Sequence, residues 1–297
     1  RNQYVLDFSR KEVVNCIYDM MYKILSEAKI SYIKWDLNRS ITECYSVALP
    51  ADRQGEVFHR YILGVYDLYD RLTTAFPQIL FESCASGGGR FDPGMLYYAP
   101  QGWISDDTDA AERVRIQYGT SMCYPISSMG SHVSVVPNHQ LNRITPLHTR
   151  ANVAYFGTFG YELDLNKLTD EEIAEVKTQI IFMKEYRELI QFGNFYRLKS
   201  PFDGNETVWM TVSEDKRKAL VFWYRERNVV NAEFTRVRLQ GLDPDFIYKN
   251  EYNGTENYGD ELMNLGLLTT DVTAGEPTNE DLPCTDYESR IYVLTAE

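Results

Sequence analysis

Up to about residue 190 the chain repeats one arrangement, a short apolar run followed by a stretch whose apolar residues recur at helical spacing. "QYVLDFS", "ISYIKWD", "QILFESC", "GWISDD", the irregular "YPISSMGSHVS" and "FGYELDL" read as strands, about six signals in all. Between and after them, "EVVNCIYDMMYKILSEA" places Val13, Ile17, Met20, Met21, Ile24 and Leu25 at helical intervals. "EVFHRYILGVYDLYDRLTTAF", "TDAAERVRIQYGTSM", "TPLHTRANVAYF" and "TDEEIAEVKTQIIFMKEYRELIQ" read the same way. The last opens on Thr169 and an acidic first turn, a helix start. A strand that continues into a helix can rejoin its sheet only parallel to itself, so these units imply an α/β fold with a parallel sheet. After about residue 193 the pattern changes to alternating runs, "ETVWMTVSE", "KALVFWYRER", "TRVRLQGL" and "RIYVLTA", separated by turn residues. That half reads as an antiparallel sheet or sandwich. The boundary is expected at Gly193, giving domains of residues 1–192 and 193–297.

With 297 residues, 44% hydrophobic and 25% charged, the chain can bury a large core. Its net charge of −13 opposes nucleic-acid backbones and anionic membrane surfaces and suits a neutral or cationic ligand. No apolar stretch approaches the roughly 18 residues of a membrane span. The opening "RNQYVLDFSRKEV" lacks the apolar core of a signal peptide. Cys16, Cys44, Cys84, Cys123 and Cys284 are scattered, odd in number and without a C-x-x-C pair, which argues against a disulfide framework or structural zinc. A reducing cytoplasm is the expected location.

In parallel α/β folds chemistry sits past the carboxyl ends of the strands. "YIKWD" ends in Asp36 and "WISDD" in Asp106 and Asp107. A single acid there reads equally well as a helix cap. Two such ends with different surroundings carry more information. Lys34 and Asp36 share a strand face with Trp35 on the other, and a cation beside a carboxylate keeps it ionised, as a nucleophile requires. In "SDDTDA" the acids crowd, which favours one able to carry a proton. One charged carboxylate and one proton carrier are the pair that cleaves glycosidic bonds.

"SGGGR" lacks the spacings G-x-x-x-x-G-K-S/T and G-x-G-x-x-G, so a tight turn with close ligand approach fits better than a phosphate loop. Cys84 by itself reads as a small buried hydrophobe. His132 and His139 lack the H-E-x-x-H arrangement and read as structural or hydrogen-bonding groups. Most of the 22 tyrosines belong to core or interface, while an exposed aromatic such as Tyr224 could stack on a sugar or meet a subunit.

"YIKWDLNRS", "FESCASGGGRFDPGMLYYAPQGWISDDTDAAERVRIQYGTSMCYP", "MGSHVS" and "YFGTFGYELDL" together resemble the retaining α-galactosidases of glycoside hydrolase family 36, over residues 1 to about 190. In that family the aspartate of K-W-D-x-N-R is the nucleophile and the first aspartate of W-x-S-D-x-T-D is the acid/base. The resemblance therefore implies Asp36 and Asp106 in those roles. It also implies a galactose site lined by Lys34, Asn38, Cys84, Gly87, Arg90 and Trp103. Leu37 replaces the methionine of many relatives, a volume-conserving change. The fold implied is a (β/α)8 barrel followed by a C-terminal β-sandwich. Family members carry a large β domain and the first barrel strands before the point where this chain starts, so the resemblance implies the later part of a longer protein.

The function implied is retaining hydrolysis of terminal α-linked galactose from melibiose- or raffinose-type oligosaccharides, without metal or organic cofactor. No nucleic-acid or membrane partner is expected, and the full-length protein is expected to be a homo-oligomer. A transglycosylase of the raffinose-synthase type would use the same residues. A noncatalytic galactoside-binding or assembly module would bind without turnover. An aldolase would need Lys34 as a neutral amine, which Asp36 on the same face disfavours.

Overall fold

The computed structural model describes residues 4–230, 234–269 and 286–296. Cys284 lies outside these residues, as does the first part of the opening strand signal. Two compact units, Arg1–Asp106 and Asp107–Glu297, make up the chain.

In the first unit, α1 (Lys11–Glu27) precedes β1 (Tyr32–Asp36), α2 (Val57–Ala75) connects it to β2 (Leu80–Cys84), and α3 (Pro93–Tyr98) leads to β3 (Gln101–Trp103). β1 pairs parallel with β2 and β2 parallel with β3. The crossover helix explains the parallel pairing. Tyr61, Val65, Leu68, Tyr69 and Leu72 fall on one face of α2 and are all buried. That face packs with Phe81 of β2 and Ile33 and Trp35 of β1. Trp35 stacks on Tyr69 at 4.5 Å between ring centroids. Each fully buried leucine on this face contributes about 1.5–3 kcal/mol. The face of β1 opposite Trp35, which carries Lys34 and Asp36, is thereby left for the polar side. Pro93 and the Asp92 carboxylate, which accepts from Met95 N, start α3.

The opening "QYVLDFS" differs from expectation. Its described residues 4–7 form no strand and pass through a turn into α1. Tyr4 is 99% exposed, while Val5 and Phe8 pack on the core cluster that includes Tyr61, with the Phe8 and Tyr61 ring centroids 5.7 Å apart. Among the described residues five strands therefore precede the antiparallel part, where six signals were read.

The second unit begins with α4 (Ala110–Thr120), β4 (Met129–Ser134), α5 (Leu147–Ala154), β5 (Thr158–Glu162) and α6 (Asp170–Phe192). β4 and β5 are parallel. α6 starts with the capping box read from "TDEE": Thr169 accepts from Glu172 N and the Glu172 carboxylate accepts from Thr169 N. The antiparallel part comprises β6 (Asn194–Lys199), β7 (Glu206–Val212), β8 (Lys218–Arg225), β9 (Arg236–Val237), β10 (Ile247–Asn250), β11 (Glu256–Tyr258), α7 (Gly259–Asn264), β12 (Leu267–Leu268) and β13 (Glu288–Ala296). Its main sheet runs β11-β10-β13-β8-β7-β6, and β12 pairs with β9 separately. Edge strand β6 has a register shift between Arg197 and Lys199, and the other edge, β11, is three residues long.

Both faces of this sheet are covered. Val208, Met210, Val221 and Trp223 form a core with Val237, Leu239, Leu262 and Leu267 on one side. On the other, Phe156, just past α5, meets Trp209 and Phe222 at 5.7 and 5.8 Å. Tyr224 is consequently 2% exposed and its hydroxyl is buried without a hydrogen bond, so the expectation of an exposed aromatic there is corrected.

Candidate active site

The polar face of β1 and β2 holds two facing pairs. The register sets Asp36 beside Cys84 and Lys34 beside Glu82. At the strand ends the Cys84 thiol hydrogen-bonds to the Asp36 carboxylate. Asn38 Nδ2 donates to Asp36 Oδ2 at 2.8 Å, while Asn38 Oδ1 accepts from Ser86 N at 3.2 Å. Asn38 thus ties the carboxylate to the turn that follows β2. The thiol first, then the Asn38 amide and the Lys34 and Arg90 charges, hold the Asp36 carboxyl below its ordinary range against partial burial. Burial, with Asp36 alongside, pushes the Cys84 thiol up to about 11. It is a protonated donor at neutral pH.

One pair below, Lys34 Nζ lies 3.9 Å from Glu82 Oε1 and 4.7 Å from the centroid of the Trp103 ring. The lysine expected to keep Asp36 charged therefore contributes to that effect, but its ion pair is with Glu82. Glu82 did not figure in the sequence reading. An acid inside "QILFESC", two residues before Cys84 and hence on its face, is the signal that could have found it.

The glycine run sets the position of Asp106. Gly87 has φ +75°, and a Cβ there would stand 2.6 Å from Ser105 Cα and 2.8 Å from Asp106 N. A Cβ on Gly88 would meet Ile104 O at 2.8 Å. The close approach read from "GGG" is therefore between backbones: the turn after β2 lies directly against the segment that carries Asp106. Arg90, at the end of this turn, donates from Nη2 to Cys84 O at 2.7 Å and closes it.

β3 ends at Trp103, so the strand's side-chain alternation does not extend to Asp106 and Asp107. Asp109 caps α4: its side chain accepts from Ala111 N and Glu112 N, and it pairs with Arg143. Of the predicted residues, Lys34, Asp36, Asn38, Cys84, Arg90 and Trp103 are linked by the contacts above, and Gly87, in the turn after β2, abuts the backbone of Asp106. His132, by contrast, lies in the second unit beside Glu162 at 3.3 Å. A cavity of about 200 Å³ between residues 4–7, 39–45 and α2 contains none of the predicted residues.

Residues 1–193 match the Melibiase family model, and residues 206–294 match the glycosyl hydrolase family 36 C-terminal domain. The chain belongs to glycoside hydrolase family 36. Among family 36 relatives, it is 55% identical to alpha-galactosidase AgaA of Geobacillus stearothermophilus over 267 residues, which are 90% of this chain and 36% of that protein. It is 53% identical to alpha-galactosidase Mel36A of Lactobacillus acidophilus, again over 36% of the relative. The crystal structure of AgaA superposes with a TM-score of 0.93, covering 100% of this chain and 40% of that one. Variants of that enzyme have been solved in complex with raffinose and with stachyose. The fold is accordingly the family 36 barrel portion followed by its C-terminal sandwich.

Proposed function

We propose that the protein carrying this chain is a retaining α-galactosidase that releases terminal α-linked galactose from raffinose-type oligosaccharides by double displacement. Asp36 is its nucleophile and Asp106 its acid/base. The observation that carries the reading is the environment of Asp36: a carboxylate at a strand end, kept ionised by a thiol, an amide and two cations, suits attack on an anomeric carbon. Family membership, and relatives solved with raffinose and stachyose, support the substrate class.

In this mechanism Asp36 attacks the anomeric carbon while Asp106 protonates the departing oxygen. Asp106 then removes a proton from the water that releases galactose from Asp36. The two carboxyl groups are expected about 5–5.5 Å apart in the galactoside complex. Lys34, Asn38, Cys84, Gly87, Arg90 and Trp103 surround the sugar, with Trp103 and the Lys34 donors toward its ring and hydroxyls. The chain spans 28–36% of the length of the curated relatives it matches, so activity, homo-oligomeric assembly and cytoplasmic location belong to the proposal for the whole protein.

The test pairs two variants of the active protein. Asp36→Ala should lose turnover and recover it with azide, yielding β-galactosyl azide, because the small anion fills the place of the missing carboxylate. Asp106→Ala should slow substrates with poor leaving groups severely and activated aryl galactosides much less, since these need little protonation. Normal turnover of Asp36→Ala without azide, or equal losses on both substrate types for Asp106→Ala, would overturn the assignment.

A further inference from the structure

Glu82 is the one acid on this face to which the proposed mechanism gives no work. It is 2% exposed, deep in β2 with Lys34 of β1 as its register partner. Its Oε2 accepts a hydrogen bond from the Tyr32 hydroxyl. Its Oε1 is buried and accepts no hydrogen bond, and Lys34 Nζ stands 3.9 Å from it. Leaving a buried carboxylate oxygen without a donor is costly unless a cation compensates it. Lys34 is that cation, and the Trp103 ring bounds the ammonium from another direction.

The arrangement answers a problem that the sequence itself creates. A lysine two residues before a carboxylate, on the same strand face, has the reach to ion-pair with it directly. An Asp36 paired in that way would be a poor nucleophile, and the lysine's donors would be unavailable to a sugar hydroxyl. Here the ammonium is held one pair lower, where it acts on Asp36 through the field alone.

We propose that Glu82 is a positioning residue, which anchors the Lys34 ammonium between its own carboxylate and Trp103 and so leaves both Asp36 and the Lys34 donors free for the galactoside. This rests on the reading of Asp36 as nucleophile and Lys34 as a sugar contact. The groups facing Asp36 are Cys84 and Arg90 from β2 and its turn, and Lys34 and Asn38 from its own segment. Those facing Glu82 are Lys34 and Tyr32.

The test is Glu82→Gln in the active protein, with kcat/KM measured across pH on an aryl α-galactoside. Glutamine keeps the volume and the acceptor for Tyr32 and removes the anchor charge. kcat/KM should fall about tenfold, the size of one lost charge-assisted contact. The acid limb should move to lower pH, because Asp36 loses a nearby anion and gains a closer cation, and both effects favour its ionised form. In a Lys34→Met background the same Glu82→Gln change should alter kcat/KM by no more than about twofold, since a residue acting through Lys34 has nothing left to position.

A Glu82→Gln protein with unchanged kcat/KM and acid limb, or an equal loss in the Lys34→Met background, would overturn the proposal. Should Glu82→Gln fail to fold, Tyr32→Phe serves. Tyr32 is 44% exposed, and loss of its hydroxyl leaves Glu82 to draw Lys34 away from Asp36. The acid limb should then move to higher pH, and an unmoved limb would count against the anchor. A wild-type protein without α-galactoside turnover speaks against the glycosidase reading itself. Turnover that is indifferent to Glu82 speaks against the anchor alone.

Discussion

A neutral thiol is the foremost influence on the charge of Asp36, ahead of either nearby cation. This choice has a chemical logic. A thiol with its proton held by burial donates to the carboxylate without ion-pairing to it, so it stabilises the anion while adding no charge beside it. Replacing Cys84 with alanine removes that donor, and the Asp36 pKa should rise. The sign follows from linkage: a depressed pKa keeps Asp36 ionised as pH falls, so loss of the depression brings protonation at higher pH. The acid limb of kcat/KM should therefore move upward in Cys84→Ala, and Cys84→Ser, which keeps a donor, should move less. A pH profile on an aryl α-galactoside measures both, and an unmoved limb in Cys84→Ala would remove the thiol from this account. Neither Cys84 nor Glu82 announces such a role in sequence: one reads as a small hydrophobe, and the other is visible only once the register pairs it with Lys34.

At the scale of elements, the turn after β2 is the part least tolerant of change. Gly87 sits at φ +75° with the Ser105 and Asp106 backbone closer than any Cβ permits. Gly87→Ala should cost about 2 kcal/mol or more, from the left-handed backbone conformation and from the displaced neighbour together. Denaturation of the chain with and without the substitution tests this, and an unchanged midpoint would mean the turn can relax. The variant should also lose turnover beyond its loss of stability, because what moves is the segment bearing Asp106. The long elements were legible because local and tertiary signals agree in them: α2 shows its apolar face, α6 its capping box, and "YIKWD" its alternation. The short ones were not. β3 is three residues long, so alternation could not be carried through to Asp106, and "QYVLDFS" packs Val5 and Phe8 on the core without forming a strand in its described residues. Tyr224 was misread because one strand's pattern does not reveal whether its second face meets water or the aromatic residues near α5.

For the chain as a whole, the antiparallel sheet and the helices α4–α6 before it fall in one compact unit, Asp107–Glu297. Phe156 packs against both Trp209 and Phe222, Thr149 donates to Tyr287 O at 2.8 Å, and Arg115 Nη2 reaches Glu226 at 2.5 Å. A chain ending at Gly193 would expose Phe156 and the faces of α5 and α6 that pack on the sheet. Its solubility and melting temperature should both fall, and a soluble truncation with an unchanged melting temperature would contradict this. The two margins of the sheet bear on a different matter. A strand margin recruits a neighbouring chain when it is long, flat and apolar, and neither margin here qualifies. β6 is dislocated between two basic residues, and β11 stops after three residues where α7 begins. Cross-β growth, the usual route by which open antiparallel sheets become fibres, is therefore opposed at both margins of this sheet.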